Sequence, residues 1–240
     1  MGEENLDQLA EDIAEDILMP IIFKVIRGVL STPDASWKHL RSCLMALSQV
    51  VEHMEDESYA FVDQIVDFIL QHMDNQHPRV KYAAFRSIAQ CCYDQSPHVQ
   101  EEFYPRIMPP LVAGLQDQNI RVVTAAAHGL VAMLEDMDED DLEIFVDDLL
   151  TRFFERLRDG GSRALQGHCL SGIARIAQVA GTGFTPYYSK VIEVLKGIIS
   201  AASGKEHREL RSKCFECVGM IGGAVGKEVF AADGKALLQE

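Results

Sequence analysis

Several scarcities bound what this chain can be. Tryptophan occurs once and cysteine six times in 240 residues, and no apolar run is long. The longest stretch without a charged residue, Ile176 to Ser189, covers fourteen positions and includes Gln, Gly and Pro. A membrane helix needs roughly 20 apolar residues, so no membrane insertion is expected. Cys43, Cys91, Cys92, Cys169, Cys214 and Cys217 are too sparse for a disulfide scaffold and point to a reducing compartment. The N-terminus has no basic segment ahead of an apolar run, so it does not read as a signal peptide. Positive charge is also scarce: 22 Lys and Arg stand against 37 Asp and Glu, a net charge of −15. Binding a phosphate backbone needs clustered cations, which disfavours direct nucleic-acid recognition. A basic protein partner is the natural expectation.

The acidity is local. Residues 1–16 hold seven acids and residues 135–148 hold nine, neither stretch containing a Lys or Arg. Together they contribute −16, leaving +1 for the rest of the chain.

What the chain has in abundance is periodicity. Met73, Leu115, Leu157 and Ile199 are spaced 42 residues apart, as are Ile69, Leu111, Phe153 and Leu195 one turn earlier. Ile88, Leu130, Ile173 and Val218 recur at 42, 43 and 45, preceded by small residues at Ala83 and Ala84, Ala125 and Ala126, and Cys169. The drift in the second set alone puts extra residues in the loop near Ser203 to Glu206. Within each unit the apolar period is that of amphipathic helices, and no segment alternates as a strand would.

Breakers at Thr32-Pro33-Asp34, His77-Pro78, Ser96-Pro97, Gly160-Gly161 and Gly181-Thr182-Gly183 divide each unit into an outer helix A, a turn and an inner helix B. The A helices are predicted at 13–31, 58–73, 98–116, 140–158 and 186–201, and the B helices at 36–54, 78–93, 119–135, 163–180 and 207–225. A sixth A helix starts near Lys227. Two-helix repeats of roughly 40–47 residues define the HEAT class. The expected fold is all-α, a right-handed α-solenoid of about five helix pairs plus the start of a sixth. It forms one array over 1–240, with repeats near 13–54, 58–94, 98–136, 140–181, 186–226 and 227–240. Solenoids usually end in polar caps. This chain stops within Lys235-Ala236-Leu237-Leu238-Gln239-Glu240, and its first predicted helix carries Ile13, Ile17, Leu18, Ile21, Ile22 and Val25 on more than one side, so a piece of a longer array is expected.

Carboxylates recur at the ends of the B helices: Glu52, Asp94, and Glu135 with Asp136, each five or six residues beyond Leu47, Ile88 and Leu130. A negative charge there opposes the helix dipole. Stacked repeats would align these acids, flanked by Gln49 and Gln90, into a row able to pair with successive Lys or Arg of an extended peptide. The alternative is a set of solvated helix ends or salt bridges to a neighbouring repeat. The acid-rich turn at 135–141 admits two readings as well, support of the following helix N-terminus or attraction of a basic partner. It is no EF-hand, lacking the required Gly and the closing Glu.

Other features read as structural. Cys214-x-x-Cys217 has no second such pair and does not read as a zinc site. Cys91, Cys92 and Cys169 read as small core residues, and Gly219, Gly222 and Gly223 as aids to close packing. Trp37 reads as a core or inter-repeat contact, with a groove-lining role open. No convergent catalytic set is present, so neither enzyme activity nor a cofactor is expected.

The string Asp74-Asn75-Gln76-His77-Pro78-Arg79-Val80-Lys81-Tyr82-Ala83-Ala84 resembles the central HEAT repeats of the importin-beta (karyopherin-beta) family, as does Leu44-Met45-Ala46-Leu47-Ser48. The run Leu210-Arg211-Ser212-Lys213-Cys214-Phe215-Glu216-Cys217-Val218-Gly219-Met220-Ile221-Gly222, with Ala224-Val225-Gly226-Lys227-Glu228 and Phe184-Thr185-Pro186-Tyr187-Tyr188, is similar to the importin-beta-three branch. The resemblance implies a nuclear transport receptor that shuttles between cytoplasm and nucleus. It implies basic targeting segments of cargo held on the concave helix-B surface, release by Ran-GTP, whose main binding repeats would lie N-terminal to this segment, and Phe-Gly nucleoporins in clefts between A helices. The other reading is a HEAT scaffold of a phosphatase or chromosome-organising complex.

Overall fold

The computed structural model describes residues 2–54, 59–159, 161–202 and 204–237. Among these there are thirteen α-helices and no strand. The chain divides into two compact units, Met1–Asp136 and Met137–Glu240.

The first unit contains α1 (Gly2–Asp12), α2 (Glu15–Leu30), α3 (Trp37–Val50), α4 (Tyr59–Leu70), α5 (Pro78–Asp94), α6 (His98–Gly114) and α7 (Ile120–Met133). Helices α2, α4 and α6 are the A helices; α3, α5 and α7 are the B helices, each packed on its own A helix, with α3 packed on α5 and α5 on α7. Polar caps start the B helices at a constant register. Ser36 and His39 form a capping box on α3, His77 Nδ1 accepts from the Arg79 amide at 3.2 Å, and Asn119 Oδ1 accepts from the Arg121 amide at 3.0 Å. Trp37 stacks on His77 with centroids 4.2 Å apart, which makes it an inter-repeat contact.

Two features of this unit lie outside the predicted helices. Helix α1 packs on α3 as a preceding B helix would, although residues 2–12 are too polar to show an apolar stripe. The end of the predicted 36–54 helix tightens into a 3-10 turn at Val51–His53. Buried polar groups lace adjacent repeats together: Ser87 Oγ donates to the Leu44 carbonyl and Gln95 Nε2 to the Val51 carbonyl, each at 2.9 Å. The Lys81 ammonium pairs with Asp117 at 3.0 Å, and the A helices are joined by Asp63–His98 and Asp67–Arg106, each at 2.8 Å.

The second unit contains α8 (Glu139–Glu143), α9 (Val146–Arg158), α10 (Arg163–Ala180), α11 (Thr185–Ala201), α12 (Arg208–Val225) and α13 (Lys227–Leu237). Helices α10 and α12 are its stacked B helices. The A helix expected over 140–158 is broken after Glu143 into α8 and α9, leaving Ile144 at the break 75% exposed. The loop expected near Ser203 to Glu206 holds a 3-10 turn at Lys205–His207. Ser203, like Gly160 and the last three residues, lies outside the described residues. Gly226, at φ +82°, lets the chain leave α12 and enter α13 one residue later. Helices α11 and α13 are joined through Asp233, which accepts from the Tyr188 hydroxyl at 2.7 Å and pairs with Lys196.

All twelve residues of the three repeated apolar sets are buried. One register of the B helix is also kept small, at Ser87, Gly129, Gly172 and Cys217, immediately before Ile88, Leu130, Ile173 and Val218. Space explains this. A Cβ on Gly129 would meet Leu111 Cδ2 at 2.8 Å, and one on Gly172 would meet the Phe153 ring at 2.6 Å. The A-helix side chain is thus seated directly on the B-helix backbone. Of the three glycines in α12, Gly222 has this role against Phe230 at 2.7 Å, whereas Gly219 and Gly223 face open space.

Gly172→Val should therefore destabilise the chain by about 1–3 kcal/mol, because the Phe153 ring is fully buried and cannot yield. Gly197→Ala, in an exposed position of α11 with open space around it, should instead stabilise by about 0.5–1 kcal/mol. Urea denaturation of the two variants should move the midpoint in opposite directions.

Candidate functional site

The six candidate residues all fall in the first unit, and the B helices set their heights. Gln49 lies near the end of α3 and Glu52 in the 3-10 turn that follows. Gln90 and Asp94 are in the last turn and a half of α5, and Glu135 and Asp136 come just past the end of α7. Glu52, Asp94 and Asp136 are spaced 42 residues apart, at or just past the ends of three consecutive stacked helices. Glu52, Glu135 and Asp136 are exposed; Gln49, Gln90 and Asp94 are half-buried.

The carboxylates are not isolated. Burial raises the Asp94 carboxyl above the ordinary Asp range, two hydrogen bonds from Gln90 lower it, the Glu52 charge raises it and His53 lowers it. Asp94 therefore sits in the field of the preceding repeat's acid. Gln90 Nε2 reaches both oxygens of Asp94, at 3.0 and 2.9 Å, fixing the carboxylate. Asp136 accepts a very short hydrogen bond from Ser96 Oγ, two residues beyond Asp94. Tyr93, 39% exposed, turns its ring toward His128 on α7 with centroids 5.7 Å apart.

Two further residues belong to this surface that the sequence did not reveal. His53 Nε2 lies 2.8 Å from Asp7 Oδ1, which brings α1 against the first carboxylate of the row. The ligand atoms of Asp7, Glu52 and His53 fall within 4.8 Å of one another, a spacing a cation could bridge. With His53 already engaged by Asp7 and Glu52 exposed, the cluster is simpler to read as one more acid at the end of the row. Its signal was the repeat register itself: stepping back one unit from Glu52 leads to residues 7–11, which are acidic at both ends.

A cleft of about 390 Å³ opens between the A helices α2 and α4. Phe23, Ile26 and Phe68 supply apolar walls, and Arg27 and Asp67 are its charged lining. The cysteines offer no comparable chemistry: burial pushes the Cys214 thiol up to about 11 and Cys217 higher still, which disfavours the thiolate that metal binding or nucleophilic attack requires.

Comparison with known proteins agrees with this architecture. The family model for importin subunit beta-1-like TPR repeats matches residues 23–218. Importin subunit beta-3 of Saccharomyces cerevisiae is 30% identical over 238 residues, 99% of this chain and 22% of the relative. The crystal structure of Kap121p bound to Pho4p superposes with a TM-score of 0.88 at 29% identity, covering 99% of this chain and 22% of that one. A mutant of Kap121p, similar to this chain with a TM-score of 0.88 at 28% identity over the same shares, has two aspartates and a glutamate exchanged for lysine at positions 43 and 42 residues apart. The chain spans about a fifth of the length of these relatives.

An acid whose folded pKa is raised opposes folding once pH exceeds its unfolded pKa, and costs nothing below it. Asp94→Asn should therefore raise the melting temperature at pH 7 and leave it unchanged near pH 3, where the native carboxyl is already protonated. Thermal unfolding followed by circular dichroism at the two pH values checks this.

Proposed function

The chain belongs to the importin-beta family, and from that premise we propose that it serves nuclear import by binding basic targeting segments of cargo proteins along the helix-B surface of its first unit. The observation that carries the reading is the row Glu52, Asp94 and Asp136, one carboxylate per repeat at the ends of consecutive B helices. The Kap121p variant altered at three acids of nearly the same spacing supports it.

The physics of the row favours a cation with an extended backbone. A helix C-terminus carries about half a negative charge from its unpaired carbonyls. A carboxylate at the same end adds to that potential, so a Lys ammonium placed there meets two attractions at once. Adjacent B helices in such stacks lie about 8–10 Å apart, which suits side chains a few residues apart on an extended peptide. Gln90 holds Asp94 in place before the ligand arrives, reducing what binding must immobilise. In the complete receptor, Ran-GTP would release the cargo and the protein would shuttle between cytoplasm and nucleus.

The cleft between α2 and α4 suits the second partner of such receptors, a Phe-Gly nucleoporin segment, since Phe23 and Phe68 can enclose an aromatic ring while Arg27 can meet the backbone beside it. Phe68→Ser should weaken capture of a Phe-Gly repeat peptide and leave binding of a Lys-rich peptide unchanged. Paired pull-downs with the two peptides provide the check.

The main test is the combined change Glu52→Ala, Asp94→Ala and Asp136→Ala. Exposed ion pairs are worth about 0.2–1 kcal/mol each, so the triple variant should lose about three- to a hundredfold in affinity for a Lys-rich targeting peptide. Titration calorimetry at low salt measures it. Unchanged affinity would remove the row from cargo binding.

A further inference from the structure

The opposite ends of the B helices carry a second repeating charge. Arg79, Arg121, Arg163 and Lys205 recur at 42-residue spacing. The three arginines stand in the first turns of α5, α7 and α10, and Lys205 opens the 3-10 turn that leads into α12. Cations there oppose the helix dipole, just as the carboxylates do at the other end. All four are exposed, and among the described residues none of them forms an ion pair. Arg79 lies over Trp37, 5.1 Å from its ring centroid.

In the second unit these charges gather around a cavity. Arg163 from α10, with Lys205, Arg208 and Lys213 from the turn and α12, lines an open cleft of about 530 Å³ whose remaining charged walls are Glu206 and Glu209. Lys213 is neutralised by Glu216 at 2.8 Å. Among the described residues Arg163, Lys205 and Arg208 form no ion pair, and they stand at the starts of two adjacent helices, whose dipoles add to the positive potential.

We propose that this cleft is a docking site for an acidic peptide segment of a partner protein. Arg163 and Arg208 offer planar forks for carboxylates, and Lys205 adds a third, less directional cation. Glu206 and Glu209 stand among the cations and would repel the continuous line of charge that a nucleic-acid backbone presents. A peptide carries its charges on separate side chains and can step past them. The cleft is opposite in sign to the Glu52, Asp94 and Asp136 row and would take a partner of opposite charge, so it stands whether or not that row binds cargo.

The test is fluorescence anisotropy of the whole chain with a short labelled peptide of alternating Glu and Gly, at low salt where exposed charges are least screened. The peptide should bind, and Arg163→Glu with Arg208→Glu should weaken it about tenfold or more. The milder pair Arg163→Ala with Lys205→Ala should weaken it less and retain the native circular dichroism spectrum, which separates loss of charge from loss of fold. Combined Glu52→Ala, Asp94→Ala and Asp136→Ala should leave this peptide unaffected. Failure of the peptide to bind, or binding insensitive to both cation pairs, overturns the proposal. Tighter binding of a labelled single-stranded DNA of similar length through the same residues overturns the choice of a peptide as its occupant.

Discussion

The closeness with which an A helix seats on its B helix is the constraint on which the rest depends. A two-helix repeat cannot bury both of its apolar faces alone, so its stability comes from contact with its own partner and with the next repeat. That contact needs one register of the B helix to stay small, and Gly129 against Leu111 and Gly172 against Phe153 show how little room is left. Ser87 occupies the same register and uses its hydroxyl to tie α5 to the Leu44 carbonyl of α3. Once this seam fixes the separation and height of consecutive B helices, residues one repeat apart in sequence stand at matching heights in space. The carboxylates at and just past the ends of α3, α5 and α7 therefore form a surface by construction of the fold.

This also explains what could be read from the amino-acid sequence. The A and B helices were legible because core-facing residues such as Ile69, Leu111, Phe153 and Leu195 must recur wherever the seam recurs. The acids Glu52, Asp94 and Asp136 were legible for a different reason: they stand where the helix dipole disfavours them, and they do so repeatedly. Helix α1 was not legible because Leu6, Leu9 and Ala10 are too few to make a stripe, although it packs against α3. With α1 unseen, the Asp7–His53 pair could not be found, since its partners are 46 residues apart and only a B-helix reading of residues 2–12 brings them together. The break between α8 and α9 was hidden too, because Leu142, Val146, Leu149 and Phe153 keep a helical period across it and all remain buried.

Asp94 shows the tension between folding and the proposed use of this surface most clearly. Its half-buried carboxyl is raised by desolvation and by the charge of Glu52, so the fold would be better served by a neutral group. Gln90 partly offsets this by hydrogen bonding both oxygens, which also holds the carboxylate in one orientation. An incoming ammonium would offset the cost of desolvation and the repulsion together. The groups least comfortable in the free protein are thus those with the most to gain from a cationic ligand.

The same reasoning accounts for the sign of charge at both ends of the B helices. A residue that complements the dipole, an acid at the start or a base at the end, stabilises the helix and cancels the terminal potential that a ligand would feel. A residue of the opposite sign costs stability and adds to that potential. Glu52, Asp94 and Asp136 at the ends of α3, α5 and α7, and Arg163 and Arg208 at the starts of α10 and α12, are all of the second kind. Neutralising interactions inside the protein are used elsewhere, as in Lys81 with Asp117, Arg106 with Asp67 and Lys196 with Asp233. Those pairs join neighbouring helices and spend their charge on the fold. The charges left exposed on the B-helix ends are arranged so that side chain and backbone act in the same direction on whatever approaches from outside.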